Sequence, residues 1–600
     1  VGEADDRGRP EVGQVISKAV VSRRALLAIV GTAGAAVVAD RAGLFGGGGG
    51  NGGGGGGGPQ AGSSGGSTSD SHEEWDGDHH SSSHHDSHHN SDHGDWEGSH
   101  NDGGYYGGHN PNDGITEFKS EIALPPPFRR PLPIPQELAP SRRSSDTDYY
   151  EIVQSQAKAE ILPGVQTRIW GFNGTFPGPT IVQKPNRRVV VRHRNALPVP
   201  TVVHLHGGTT PHDSDGYPTD FVLPAARYGT FPVMPAMAGM PAMNDPEAEM
   251  TKLVRNYVYP SQPRAATLWY HDHRMDFTGP SVYRGLAGFH LARDREEEEL
   301  PLPKGRRDVP LMIADRAFAA DGSFLYPSLE PRLRSTPGVE ESGMKGVMGD
   351  VILVNGAPWP VMKVDTARYR FRILNASNAR TYQLALEDPS RGVGFTQIGT
   401  DHGLLAAPLP LKTFQISGAQ RFDVVIDFSK HKVGDEITMV NRLGSGSTAT
   451  VMRFIVARAT DDKSSIPSKL STIEKIAPTS DMTRRFFKFH RGPDDWTIND
   501  RVFEPSYSQA EVKAGSTELW TVLSDFHHPF HIHNATIQVI SRDHQAPGPY
   551  DQGWKDTVFV NEGEQVELAI RFADFDGRYV FHCHNLEHED MGMMANFRIA

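Results

Sequence analysis

Residues 579–594 read YVFHCHNLEHEDMGMM and carry Cys583, the only cysteine in the 600-residue chain. His582 and His584 flank it, His588 follows five residues on, and Met593 comes ten residues after the cysteine. A single cysteine excludes an intramolecular disulfide framework, and a thiol set between imidazoles is a metal donor. One Cys, two His and a distant, weak Met form the ligand set of a blue electron-transfer copper. One of those His must come from elsewhere, and residues 527–533, HHPFHIH, supply it.

Parity sharpens this reading. The segment 577–584 is expected to be a strand, and successive strand side chains face opposite ways. His582 and His584 then share one face and Cys583 takes the other. His531 and His533 share a face, and His528, an odd number of residues away, takes the opposite one. His528 can therefore join Cys583 and His588 while His531 and His533 join His582 and His584, so that one short strand serves metal on both sides.

Working outward, four His-x-His pairs stand on apolar or aromatic runs: His204/His206 in TVVHLHGG, His271/His273 in ATLWYHDH, His531/His533 in HPFHIHN, and His582/His584 in YVFHCHN. Each pair puts two imidazoles on one strand face, about 6.5–7 Å apart along it. A lone His in a β-protein is a surface or satisfied core residue far more often than a ligand; four spaced pairs beside a Cys-centred motif are not. Eight such rings can hold three copper ions with open positions for a small molecule such as dioxygen.

From about residue 148 to the end, strand-like runs and turn signals recur and long helical periodicity is scarce, which predicts an all-β protein. Residues 173–195, 355–375 and, more weakly, 499–524 share one order: turn, proline-bearing strand, charged turn, alternating strand. An internal repeat of this kind predicts three related β-domains, placed at residues 148–295, 306–460 and 485–600, each of ordinary domain size.

Ahead of them, Arg23 and Arg24 precede the apolar run of residues 25–38, the pattern of a Tat-type export signal, here assigned to residues 1–45. It predicts a periplasmic or extracellular protein; a short buried helix is the alternative. Residues 46–147 are rich in Gly, Ser, His and Pro, with ten His between His72 and His109. The whole is expected to be a disordered linker: residues 62–113 cannot bury a core and are either a solvated tether or a loose copper or zinc binder, and the Pro-rich stretch Pro125–Pro140 leads into the folded part. The net charge of −13 gives no case for nucleic-acid binding, and no window has the roughly 20 apolar residues that a membrane anchor needs.

HLHG, WYHDH, HPFHIH and HCHNLEHEDMGM are similar to the four copper-binding motifs of the three-domain multicopper oxidases. Within that family residues 148–600 most resemble the spore-coat laccase, bilirubin oxidase and phenoxazinone synthase group, a placement that HLHGGTTPHDSDGYP and the HEDMGMM ending support. The resemblance implies three cupredoxin-like Greek-key β-barrels and four copper ions. His528, Cys583 and His588 would bind the type 1 copper with Met593 as axial ligand, Met591 and Met594 being rivals. His204 and His531 would bind the type 2 copper, and His206, His271, His273, His533, His582 and His584 the type 3 pair. A small-molecule donor would give up electrons one at a time at the exposed edge of His528, and dioxygen would be reduced to water. Asp215 and Glu589 match acidic positions that this group uses near the trinuclear centre; a turn Asp and an exposed Glu are the plain alternatives.

The implied activity is laccase-like oxidation of phenols, aminophenols or bilirubin-like pigments. Met234, Met237, Met240, Met243 and Met250 share one loop, and thioethers suit Cu(I), although Met also fills irregular gaps. That loop and the His-rich tract motivate a second reading, a cuprous or other metal-ion oxidase in copper tolerance. A non-catalytic copper-binding relative is a third, and the intact ligand set speaks against it; a copper nitrite reductase would not need the full set of His pairs. His402, in TDHGLL, carries no readable role.

Overall fold

The computed structural model of the chain describes residues 109–224, 245–333, 338–388, 392–493 and 495–600. The twin-arginine segment, the glycine run, the His-rich tract as far as His100, and Met234, Met237, Met240 and Met243 lie outside them; Met250 is exposed.

Strands dominate the described residues, and the large sheets come in three successive pairs along the chain. In the first, a sheet centred on Thr147–Glu160 and Arg188–Asn195 faces one in which Gly178–Gln183, Ala287–Ala292, Ala266–Asp272 and Val203–His206 lie in that order. The second pair is built from strands between Asp308 and Arg458, and the third from strands between Arg484 and Ile599. Apolar side chains alternate inward along these strands and fill a core between the sheets of each pair. These are the three cupredoxin-like domains that the resemblance implies.

The repeat has a physical basis. Its three segments open on Asn173, Asn355 and Asn499, all with left-handed backbone (φ 54°, 50° and 53°). Asparagine tolerates that conformation better than most residues. Each Asn Oδ1 accepts the backbone N–H of a preceding strand, from Val153, Met312 and Lys488, at 2.8 Å in all three. Each segment then feeds a strand that pairs in parallel with the first strand of its domain: Thr147 beside Arg188, Asp308 beside Arg370, and Arg484 beside Leu519.

The expected linker ends earlier than its composition suggests. Thr116–Phe118 pairs in parallel with Val347–Gly349. Phe118, Ile122, Leu124 and Leu132 pack on the second domain's core, and Leu138 packs on the first. Prolines lack an N–H and are poor in a sheet interior, but this stretch runs along edges, where single backbone bonds such as Leu132 N–H to Val361 O suffice. The acidic run Glu296–Glu299, at the end of the first domain, is also ordered. Arg295–Glu299 is a short helix capped by Asp294, and Glu297 is buried between Arg370 and Arg372.

Candidate metal centre

Sheet register brings the His pairs together. In the first domain His204 lies opposite His271, and His206 opposite Trp269. In the third, His531 lies opposite His582 and Phe530 opposite Cys583. All eight paired imidazoles are buried and meet between these domains. His204 stacks on His533, and His206 on His531, with ring centroids 3.7 Å apart in both cases. Three all-histidine sets can each surround a cation, His204, His206 and His271; His204, His531 and His533; and His273, His533 and His582; His206 and His531 form a fourth with Asp556. His584 falls in none of these sets but lies against His206 and His271, at 5.0 and 5.4 Å between centroids.

Most of these rings tie one nitrogen to an oxygen outside the cluster. His204 Nδ1 is 2.6 Å from Asp215 O, His271 Nδ1 2.9 Å from Asp272 O, and His531 Nδ1 2.9 Å from Asp556 O. His533 Nδ1 is 2.7 Å from Asp215 Oδ2, and His582 Nδ1 3.0 Å from Cys583 O. His206 reverses the pattern, with Nε2 3.1 Å from Asp556 Oδ1. Such contacts fix ring orientation and leave the other nitrogen for a metal. Those other nitrogens are the ones without partners: Nε2 of His204, His271 and His531, and Nδ1 of His206. Nε2 of His582 faces Nε2 of His273 at 3.2 Å and Nε2 of His533 at 3.3 Å. Buried imidazoles converging without acceptors are costly unless a cation sits among them. Burial, reinforced by the neighbouring rings, also holds these imidazoles well below their usual pKa, hence neutral, the form that binds metal.

Across the strand from this cluster, Cys583 Sγ is 3.3 Å from His528 Nδ1 and 3.6 Å from His588 Nδ1, and the two Nδ1 atoms are 3.1 Å apart. Here the outward nitrogens are Nε2: His588 Nε2 lies 3.2 Å from Lys345 O, and His528 Nε2 3.4 Å from Asp525 Oδ1. Met593 shares the buried core of Cys583, Met591 is half-buried at its margin, and Met594 belongs to a different cluster with Tyr217 and Phe503. One expectation fails: His528 has no exposed edge, its relative exposure being 0%. Asp525, Phe489, Trp496 and Phe526 enclose it.

Both expected carboxylates are at the cluster. Asp215 Oδ2 meets His533, and burial pushes its pKa well up. Glu589 Oε2 is 3.2 Å from His582 Nδ1, Oε1 accepts from Thr278 Oγ1 at 2.6 Å, and burial, with Asp272 and Glu587 nearby, raises its pKa. Glu589 is held by its neighbour. Asp590 accepts the N–H groups of Thr278 and Gly279 at 2.8 Å each, and so caps the helix Thr278–Arg284, which has no side-chain cap of its own.

Other residues here gave no signal in sequence. Asp556 touches His206 and is clamped by both ends of the Arg421 guanidinium. His402 Nε2 is 3.0 Å from the other oxygen of Asp556. Trp496 stacks on His588 at 3.8 Å between centroids. These partners come from far along the chain, with no spacing to mark them.

Fold and site together define a copper oxidoreductase: a buried Cys–His₂ site and a buried imidazole cluster, joined by one strand across cupredoxin-like domains. Residues 154–228 and 472–600 match two family models, each described as multicopper oxidase. The chain is 35% identical to the laccase of Bacillus subtilis over 522 residues, covering 77% of this chain and 96% of that protein. It is 33% identical to the bilirubin oxidase of Albifimbria verrucaria, covering 79% and 81%. The crystal structure of a laccase from Pediococcus acidilactici superposes with a TM-score of 0.69 at 28% identity, covering 80% of this chain and 96% of that one. The chain belongs to the multicopper oxidase family.

Proposed function

We propose that this enzyme is a laccase-like oxidase that takes single electrons from phenolic, aminophenolic or bilirubin-like donors and passes them to dioxygen. In this reading His528, Cys583 and His588, with Met593 in the same buried core, would hold a type 1 copper. His204 and His531 hold a type 2 copper. His206, His271 and His584, together with His273, His533 and His582, would hold the type 3 pair. Copper in these places supplies one-electron transfer at the Cys583 site and the four-electron reduction of dioxygen to water at the imidazole cluster.

The chain's own contribution is placement. The peptide on either side of Cys583 is the covalent link between the two sites. Asp215 orients His533, Glu589 lies beside His582, and both carboxyls stand at the edge of the cluster where they can hand on protons. Trp269, stacked on His271 at 4.2 Å, and the surrounding core exclude bulk water.

The observation that carries this reading is the coexistence of a complete Cys–His₂ set and eight converging imidazoles on opposite faces of one strand. The test is oxygen uptake by copper-loaded protein with a phenol, an aminophenol, bilirubin and Cu(I) in parallel. Uptake with the organic donors supports the proposal; no uptake with any of them contradicts it. Uptake with Cu(I) alone favours the metal-ion oxidase.

A further inference from the structure

We propose that the second domain, with the N-terminal strand Thr116–Phe118 added to it, forms a socket that positions His588, and that Glu587 keys the ligand-bearing helix into it. The inference rests on the oxidase reading above and adds a positioning residue to it.

The helix Leu586–Asp590 belongs to the third domain and carries His588. So short a helix is not held by its own hydrogen bonds, and its pose is set by what surrounds it. Glu587 is fully buried and accepts three hydrogen bonds, all from the second domain. The Tyr326 hydroxyl and Asn378 Nδ2 donate to Oε1 at 3.0 and 2.7 Å, and the Val347 N–H donates to Oε2 at 3.0 Å. The Leu586 N–H donates to Asn378 O at 3.1 Å. Lys345 completes the grip, its carbonyl accepting from Asn585 Nδ2 at 3.0 Å and facing His588 Nε2 at 3.2 Å. A ring that donates from Nε2 to a carbonyl keeps Nδ1 free for a metal beside Cys583. The Met344 carbonyl accepts the Trp496 indole N–H at 2.9 Å, and Trp496 stacks on the same His588 ring.

The N-terminal segment closes the socket from behind. Gly346, between Lys345 and Val347, has φ 127°. A Cβ there would stand 2.5 Å from Ala379 Cβ, 2.9 Å from Asn585 Nδ2 and 3.3 Å from Ile115 Cγ2. Ligand helix, second domain and N-terminal segment therefore meet at one point where no side chain fits. From Ile115 the chain runs on as Thr116–Phe118, paired with Val347–Gly349. Residues 378–381 touch both ends of the assembly. Asn378 holds Glu587, Arg380 pairs with Glu117 at 2.7 Å, and Thr381 exchanges two 2.9 Å hydrogen bonds with Asn112. Two packed segments, 344–349 and 378–381, thus couple the N-terminal strand to a ligand of the Cys583 site.

The test uses full-length protein and reads copper content, the blue absorption band and the reduction potential of the Cys583 site. In Glu587→Gln the amide, whichever way it turns, sets an N–H₂ against a donor N–H of Val347 or of Asn378. Copper affinity at the Cys583 site is expected to fall about tenfold or more. The band and potential shift with it, while the imidazole cluster keeps its ions. Tyr326→Phe removes one donor, leaves the helix sequence intact and shifts the same readouts less; it stands in should Glu587→Gln not fold. Coupling is reciprocal, so copper at the Cys583 site also slows amide hydrogen exchange in residues 112–118 and 344–349. That slowing is expected in copper-loaded wild type and is lost in copper-loaded Cys583→Ser; a merely structural socket would show no difference. Unchanged copper affinity, band and potential in every variant that folds overturn the proposal, and so does equal exchange in those two segments. A wild type that takes up no copper at Cys583 defeats the oxidase reading itself, which keeps the two failures apart.

Discussion

His582 and Cys583 are bonded neighbours that serve opposite sites. His582 Nε2 lies 3.2 Å from His273 Nε2 in the imidazole cluster, while Cys583 Sγ lies 3.3 Å from His528 Nδ1 on the other face of the strand. A pleated strand imposes this division with no special backbone geometry. On the proposed reading, one seven-residue strand, Gly577–Cys583, would join a site that accepts electrons singly to one that spends four together.

Asp215 couples two rings of the cluster, one through its carbonyl and one through its carboxylate. Asp215→Asn is expected to cut copper retention at the cluster, or oxygen turnover, by about 10–100-fold, the usual effect of removing such a partner. The blue band of the Cys583 site should persist. Copper analysis and absorption spectra on one preparation check both parts.

Gly216, next to Asp215, has φ +84°, and a Cβ there would collide with the Val203 carbonyl on the strand that carries His204. Gly216→Ala combines backbone strain with that clash. It is expected to destabilise the protein by about 2 kcal/mol or more. Denaturant titration measures the loss.

Arg421 and Asp556 form a buried pair beside His206. Arg421→Met leaves the carboxylate buried with its main countercharge gone, a loss of about 3–5 kcal/mol. The double variant Arg421→Met with Asp556→Asn should recover much of it. A double-mutant cycle by denaturant unfolding of metal-free protein gives the coupling; simple additivity would contradict it.

Glu297 and Asp308 face Arg293, Arg370 and Arg372 at the junction of the first two domains. Burial opposes their ionisation, but the guanidinium charges prevail and hold both carboxyls below their usual range. A carboxyl whose folded pKa is depressed contributes stability above its unfolded pKa, about 4, and loses it as pH falls further. Melting temperature should therefore drop steeply below about pH 4. Glu297→Gln should be less stable at neutral pH and flatter across this acid range. Thermal melts from neutral to acid pH decide it.

The parts of the molecule legible in sequence were those written in short-range spacing. His-x-His on a strand puts both rings on one face wherever the strand goes, so all four pairs and their convergence with Cys583 could be read directly. The domain repeat was legible because Asn173, Asn355 and Asn499 each meet the same demand for a left-handed turn. What escaped depends on partners brought together from far apart. Asp556 lies 350 residues from His206. Lys345, whose carbonyl meets His588, is 243 residues from it. Burial of His528 by Trp496 and Phe526 likewise follows from packing, which overrides any expectation drawn from a motif. Residues 109–147 fell inside the expected linker, yet a few apolar anchors such as Phe118 are enough to dock this stretch, and scattered anchors leave no periodic signal.

On the proposed reading, the Cys583 thiolate is the gate through which electrons reach the imidazole cluster. The direct measurement is copper content and oxygen uptake of Cys583→Ser after copper loading. The account predicts about three ions per chain, no blue band, and a loss of donor-driven oxygen uptake of about a thousandfold or more. Oxygen uptake at the wild-type rate in that variant would contradict it.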